Sequence, residues 1–183
     1  MYICHTIYIQ DPNHDLCKIE YSVYKKIRQL LYVIAQSVPF KPNFTKISQT
    51  IEIHRNQVAD FLYYLEKAGI VAQLRGTTEG IRQLVKVEKT YLDNTNLAYA
   101  LSDSKPETGN VRETFFLSQM KVNNTVFASE KSDFEIDKYT FEIGGQKKQQ
   151  KQIQGIDNAY IVKDDIEYGH RNVLPLWHFG FNY

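Results

Sequence analysis

Cysteine is scarce in these 183 residues, with Cys4 and Cys17 as the two examples. Two thiols so far apart do not supply the four clustered ligands of a structural zinc site. A reduced pair is the default in a protein with no secretory features. Excess charge is missing too: 22 Lys and Arg face 21 Asp and Glu, a net charge of +1. No global field draws the chain to nucleic acid, so any such binding must come from local patches. Long apolar runs are absent. The longest, Leu30–Ala35, falls far short of the ~20 residues a membrane span needs. Met1–Ile9 lacks the basic start and small-residue cleavage site of a signal peptide. The chain therefore reads as cytoplasmic, with no membrane partner. In that compartment the glycosylation-like triplets at Asn43 and Asn123 carry no meaning. There is no G-x-x-x-x-G-K-[ST], no G-x-S-x-G and no G-x-G-x-x-G. Their absence speaks against a nucleotide-cradling P-loop, a nucleophile-elbow hydrolase and a dinucleotide-binding fold.

Aromatic residues are plentiful, with 10 Phe and 13 Tyr, and the apolar share of 43% is enough for a packed core. The length suits one domain or two small ones. Residues 1–17 show no period and end in the turn cluster Asp11-Pro-Asn-His, which reads as an extension. Apolar residues at helical spacing predict helices over 18–37, 44–51 and 54–68. Pro39 and Pro42 stop the first, Asn43 or Thr45 caps the second, and Gly69 sits where a helix-terminating glycine belongs. Strands follow at 70–74 and 84–87, with Arg75–Gln83 as the loop between them. Residues 18–87 thus predict a winged helix-turn-helix. The third helix takes the recognition position and opens with Arg55, Asn56 and Gln57, whose donor and acceptor pairs suit base edges. Arg75 and Arg82, with Lys86 nearby, would face phosphates. The competing reading makes these polar residues ordinary caps and solvated surface, diluted by Asp60, Glu66 and Glu79.

Residues 88–183 form the second predicted unit. It holds a strand at 90–92, a short helix at 96–101, a polar loop at 102–110 and a helix at 111–120. Glu113 projects from that last helix, and Val111, Phe115 and Phe116 point to the core. Further strands are expected at 125–128 and 158–162. A polar helix over 146–156 would place Lys147, Lys148 and Lys151 on one basic face. Trp177 and Phe179 read as core. The most informative stretch is 132–148, SDFEIDKYTFEIGGQKK. If Asp137-Lys138 is a two-residue turn, Ile136 faces Tyr139 and Asp133 lies opposite Glu142. Like charges in such a pair repel, and a divalent cation with its preference for carboxylate oxygen would relieve them. The alternative is a solvated hairpin with acids on its wet face, and a one-residue register slip would separate the two acids altogether.

Several stretches in order carry a resemblance: SVPFKPN (37–43), YLEKAGIV (64–71), KTYLDNTNLAYAL (89–101), RETFF (112–116), the hairpin, and DDIEYGHRNVLPLWHFGF (164–181). From about residue 21 onward the chain resembles the C-terminal half of a family of bacterial and archaeal AAA+ ATPases. There a winged helix precedes a degenerate PD-(D/E)XK nuclease-like domain. The resemblance implies an α/β fold: a winged helix-turn-helix, then a restriction-endonuclease-like mixed sheet flanked by helices. It makes Glu113, Asp133 and Glu142 the catalytic acids, with Asp133 and Glu142 as ligands for Mg²⁺ or Mn²⁺. The lysine such sites carry two residues after the second acid falls on Gly144. Lys147 and Lys148 lie beyond the glycine pair and are expected to point to solvent. With no P-loop and little room for one, the expectation is a non-catalytic module that needs no cofactor. It would bind DNA, an ATPase module or another protein, with Lys147, Lys148 and Lys151 as a further phosphate-holding patch. The alternatives are a metal-dependent nuclease and a truncated relic.

Overall fold

The computed structural model of the protein describes residues 21–77 and 86–181. The extension expected over 1–17, both cysteines, Arg82 and most of the expected 75–83 loop lie outside the described residues.

Helix α1 (Tyr21–Ser37) forms because Ile27, Leu30, Leu31 and Ile34 recur at helical spacing and are all buried. Helix α2 (Phe44–Ile51) starts where the Asn43 side chain accepts a hydrogen bond from the Lys46 N–H at 3.0 Å. It ends at Glu52, which adopts a left-handed backbone at φ 54. In helix α3 (Arg55–Lys67) Gln57 Oε1 accepts from the His54 N–H at 3.0 Å, which satisfies one of the donors left over at a helix start. Gly69 then takes φ 66 and ends the helix.

Strands β1 (Val71–Arg75) and β2 (Val87–Leu92) pair antiparallel, Val71 opposite Leu92. The residues expected as a separate strand at 90–92 are the end of β2, so the strand runs across the boundary expected between 87 and 88. Because side chains alternate along a strand, this small sheet faces two cores. Val71 and Leu92 join the helical core of α1, α2 and α3. Leu74 and Tyr91 turn to a second core centred on Phe116, Phe134 and Phe141.

Helices α4 (Thr95–Leu101) and α5 (Thr108–Met120) follow. Helix α5 begins three residues earlier than expected, taking in part of the predicted 102–110 loop. Its buried residues are Thr114, Phe116 and Leu117, while Val111 and Phe115 are half-buried. The second sheet has five strands in the order β3 (Phe127–Ala128), β4 (Phe134–Ile136), β5 (Tyr139–Gly144), β6 (Ala159–Lys163), β7 (Val173–Pro175). The first three are antiparallel, and β5, β6 and β7 are parallel, so the sheet is mixed. Phe116 of α5 packs against it, 5.3 Å from the Phe134 ring, 5.2 Å from Phe141 and 4.8 Å from Phe179.

Two expectations fail in this half. The helix over 146–156 is absent; turns and a single 3₁₀ turn at Gln150–Gln152 stand in its place, so Lys147, Lys148 and Lys151 share no helical face. The run is too polar to bury a helical stripe, and helices gain most of their stability from such a stripe. Trp177 is 51% exposed rather than core, in a 3₁₀ segment, Leu176–Phe181, whose Leu176 takes the buried place.

Candidate functional site

The β4–β5 hairpin closes on Asp137-Lys138, with Asp137 at φ 53. Ile136 lies opposite Tyr139 and Phe134 opposite Phe141, the expected register. The regular ladder ends at Phe134. Just beyond it, the Asp133 N–H donates to Phe141 O at 3.3 Å, and Asp133 Oδ2 accepts from the Ile143 N–H at 2.8 Å. The Asp133 carboxylate is therefore tied to the backbone of the neighbouring strand.

Two further acids and a lysine lie nearby. Glu142 on β5 is 1% exposed; its Oε2 accepts from Ser132 Oγ at 2.6 Å and its Oε1 pairs with the Lys148 ammonium. Glu113 reaches in from the second turn of α5 and accepts from the Tyr91 hydroxyl at 2.8 Å. Next door, Arg112 anchors α5 by donating to Asp164 at 2.9 Å and Asp165 at 3.2 Å. Lys89 lies between two of the acids, its Nζ 3.2 Å from Asp133 Oδ1 and 3.8 Å from Glu113 Oε2. Lys89 and Tyr91 are two apart on β2, so one face of that strand delivers both.

Burial raises the Glu113 carboxyl above its ordinary value of 4.5, and the charges of Asp133 and, more weakly, Glu142 push it further up. Lys89 and the Tyr91 hydrogen bond pull the other way. Glu113 and Asp133 thus share Lys89, while Glu142 pairs with Lys148. Burial, followed by the Glu113 charge, also holds the Tyr91 hydroxyl well above the usual phenol range.

Gly144, at the position expected to lack a cation, has one lying across it. A Cβ placed there would sit 2.6 Å from Lys148 Cγ and 2.7 Å from both Cβ and Cδ. The Lys148 stem fills the space a side chain at 144 would use, and its head group ends on Glu142. The expectation that Lys148 points to solvent is not met, because its ammonium pairs with the buried Glu142. The residues present do not fit a divalent metal bound by Asp133 and Glu142. Each carboxylate already has an ammonium as partner. Among the described residues, no group of three or more His, Cys, Asp or Glu side chains is arranged to hold a metal ion.

A second site lies at the other end of β2. A cavity of about 480 Å³ is lined by Lys41, Asn43, Phe44, Thr45, Arg55 and Lys86, among others. It collects the start of α2, the start of α3 and the base of β2. Among the described residues one carboxylate attends to these cations: Glu88, bonded to Lys41 at 2.6 Å and to Lys86 at 2.5 Å. Those two contacts, Lys41 first, hold Glu88 below the ordinary carboxylate value. Arg55 is exposed and without an ion-pair partner among the described residues.

The other expected nucleic-acid residues are dispersed. Asn56 and Gln57 are exposed at the start of α3, and Gln57 Oε1 is engaged in capping. Arg75 lies 3.6 Å from Glu66, which also accepts from the Gln73 side chain at 3.2 Å. Lys147 and Lys151 are exposed on turns, away from any shared face. Sequence reasoning missed Lys89, Tyr91, Ser132 and Lys41. The Lys89-x-Tyr91 spacing on a strand could have signalled one polar face. Nothing in the sequence places that face against Glu113 and Asp133.

One family model matches, described as a domain of unknown function (DUF8612), over residues 12–108. The matched segment carries Lys41, Arg55, Lys86, Lys89 and Tyr91 and ends before Glu113, Asp133 and Glu142. No curated protein and no solved structure matches the chain.

Proposed function

The chain belongs to the family of the domain of unknown function DUF8612, and from that premise we propose a nucleic-acid-binding module that does not cleave its ligand. In this reading α1, α2 and α3 with β1 and β2 are a winged helix, and the five-stranded sheet is a degenerate nuclease-like domain similar to the C-terminal part of AAA+ ATPases. The observation that carries the proposal is the basic cavity, where, among the described residues, Lys41 and Lys86 share one carboxylate, Glu88, and Arg55 has no ion-pair partner. It is lined by residues at the start of α2, and helix starts favour anions. Phosphate is the ligand chemistry that matches. In this reading Asn56, exposed beside Arg55, would meet base edges.

Cleavage is not part of the proposal, because the three acids are held by the chain's own lysines. Binding should be weak and salt-dependent: with three phosphate contacts, the slope of log K against log salt is roughly −3. Fluorescence anisotropy with a labelled duplex at low salt checks this. Removing Arg55 (Arg55→Ala) should weaken binding on every sequence alike and make the slope shallower by about 1. Equal affinity for the wild type and an Arg55→Ala/Lys86→Ala double variant would refute the assignment.

A further inference from the structure

Asp133 and Glu142 of the hairpin and Glu113 of α5 are met by two ammonium groups of the chain. Lys89 arrives on β2, packed over the Phe134 ring at 5.9 Å, and stands between Asp133 and Glu113. Lys148 arrives from the turn after β5, draped over Gly144, and ends on the buried Glu142. Each carboxylate also accepts a neutral donor: Ser132 Oγ donates to Glu142 Oε2, the Ile143 N–H to Asp133 Oδ2, and the Tyr91 hydroxyl to Glu113 Oε2.

We infer that this cluster is a self-contained cation site: Lys89 occupies the cation's place between Glu113 and Asp133, and Lys148, seated where Gly144 has no side chain, serves as the fixed counter-ion of Glu142. Gly144 and Lys148 are then one device. A glycine at 144 is what lets a lysine four residues later fold back, because a Cβ would meet the root of the Lys148 stem rather than its mobile tip. The site is not short of a cation. The cluster contains its own, and an external divalent ion has to compete with a tethered ammonium. Lys89 and Lys148 act as positioning residues, holding the acids in place through charge and hydrogen bonding.

This inference rests on the non-cleaving half of the proposed function, and it is tested without DNA, so the two fail separately. Melting temperature is measured with EDTA and with millimolar Mn²⁺, and Mn²⁺ binding is read by EPR. The wild type should show the same melting temperature in both and no bound Mn²⁺. Lys89→Met, which keeps the stem and removes the charge, should gain bound Mn²⁺ and a Mn²⁺-dependent rise of several degrees, both abolished by adding Asp133→Asn. Mn²⁺ bound by the wild type through Asp133, or a folded Lys89→Met that binds none, overturns the assignment of Lys89. Should Lys89→Met fail to fold, a second measurement still decides the Lys148 half. Gly144→Ala should lower the melting temperature strongly in the wild type and far less in a Lys148→Gly background. Additive losses in that cycle would mean that Lys148 is not seated over Gly144.

Discussion

At the residue scale the most consequential group is Glu142, an almost fully buried carboxylate. A buried charge is tolerated where partners satisfy it, and removing one partner exposes the full desolvation cost. Lys148→Met should therefore destabilise the protein by about 3 kcal/mol, the low end for a buried pair because Lys148 is itself partly exposed. Chemical denaturation measures this, and Lys148→Met combined with Glu142→Gln should recover most of the loss. Glu113 gives a pH signature. Its folded value lies above the ordinary 4.5, so it takes up a proton more readily folded than unfolded. The stability this adds is full below about pH 4.5 and is lost as pH rises through the folded value. Glu113→Gln cannot ionise and should show no such decline, provided the Tyr91 hydroxyl still donates to the amide oxygen. Denaturation midpoints for the two proteins, followed upward from about pH 4, should converge at the acid end and separate in favour of the variant as pH rises. A constant difference across the range would deny Glu113 this role.

At the scale of elements, β2 connects the two candidate sites. Lys86 and Glu88 lie at or just before its start beside the basic cavity, and Lys89 and Tyr91 lie further on beside the acids. Adjacent residues Tyr91 and Leu92 bury into different cores. Much of this level was legible in the sequence. The stripes of α1 and α3 and the Asn43 cap gave the helices almost to the residue. The Asp137-Lys138 turn set the hairpin register, since inward-facing Phe134 and Phe141 penalise any slip. What failed had physical reasons. The 146–156 run has helix-forming residues and no apolar stripe, so tertiary contacts, above all Lys148 on Glu142, decide its path. Lys89 read as an unremarkable strand residue because its partners are 24 and 44 positions away. Long-range ion pairs leave no local pattern. A core test belongs at this scale: Leu62→Ala, at 1% exposure in α3, should cost about 2–5 kcal/mol, measurable by urea denaturation.

For the whole molecule, a near-neutral chain concentrates its chemistry in two places of opposite character. The cavity at the helix starts has cations in excess, while the hairpin cluster has acids held by tethered cations. Among the described residues, no helix is long and apolar enough to cross a membrane. Placing a lysine directly at 144 would not complete a catalytic site on this account. Gly144→Lys puts a Cβ into the Lys148 stem, so the expected result is a less stable protein that leaves supercoiled plasmid intact in the presence of Mn²⁺. Phosphate binding without cleavage is decided by one titration. A duplex labelled for both anisotropy and strand length is titrated with the wild type at low salt, once in EDTA and once in Mn²⁺. The same salt-sensitive binding curve is expected in both, with the duplex full-length at the end. No binding in either, or binding and nicking that appear only with Mn²⁺, would contradict it.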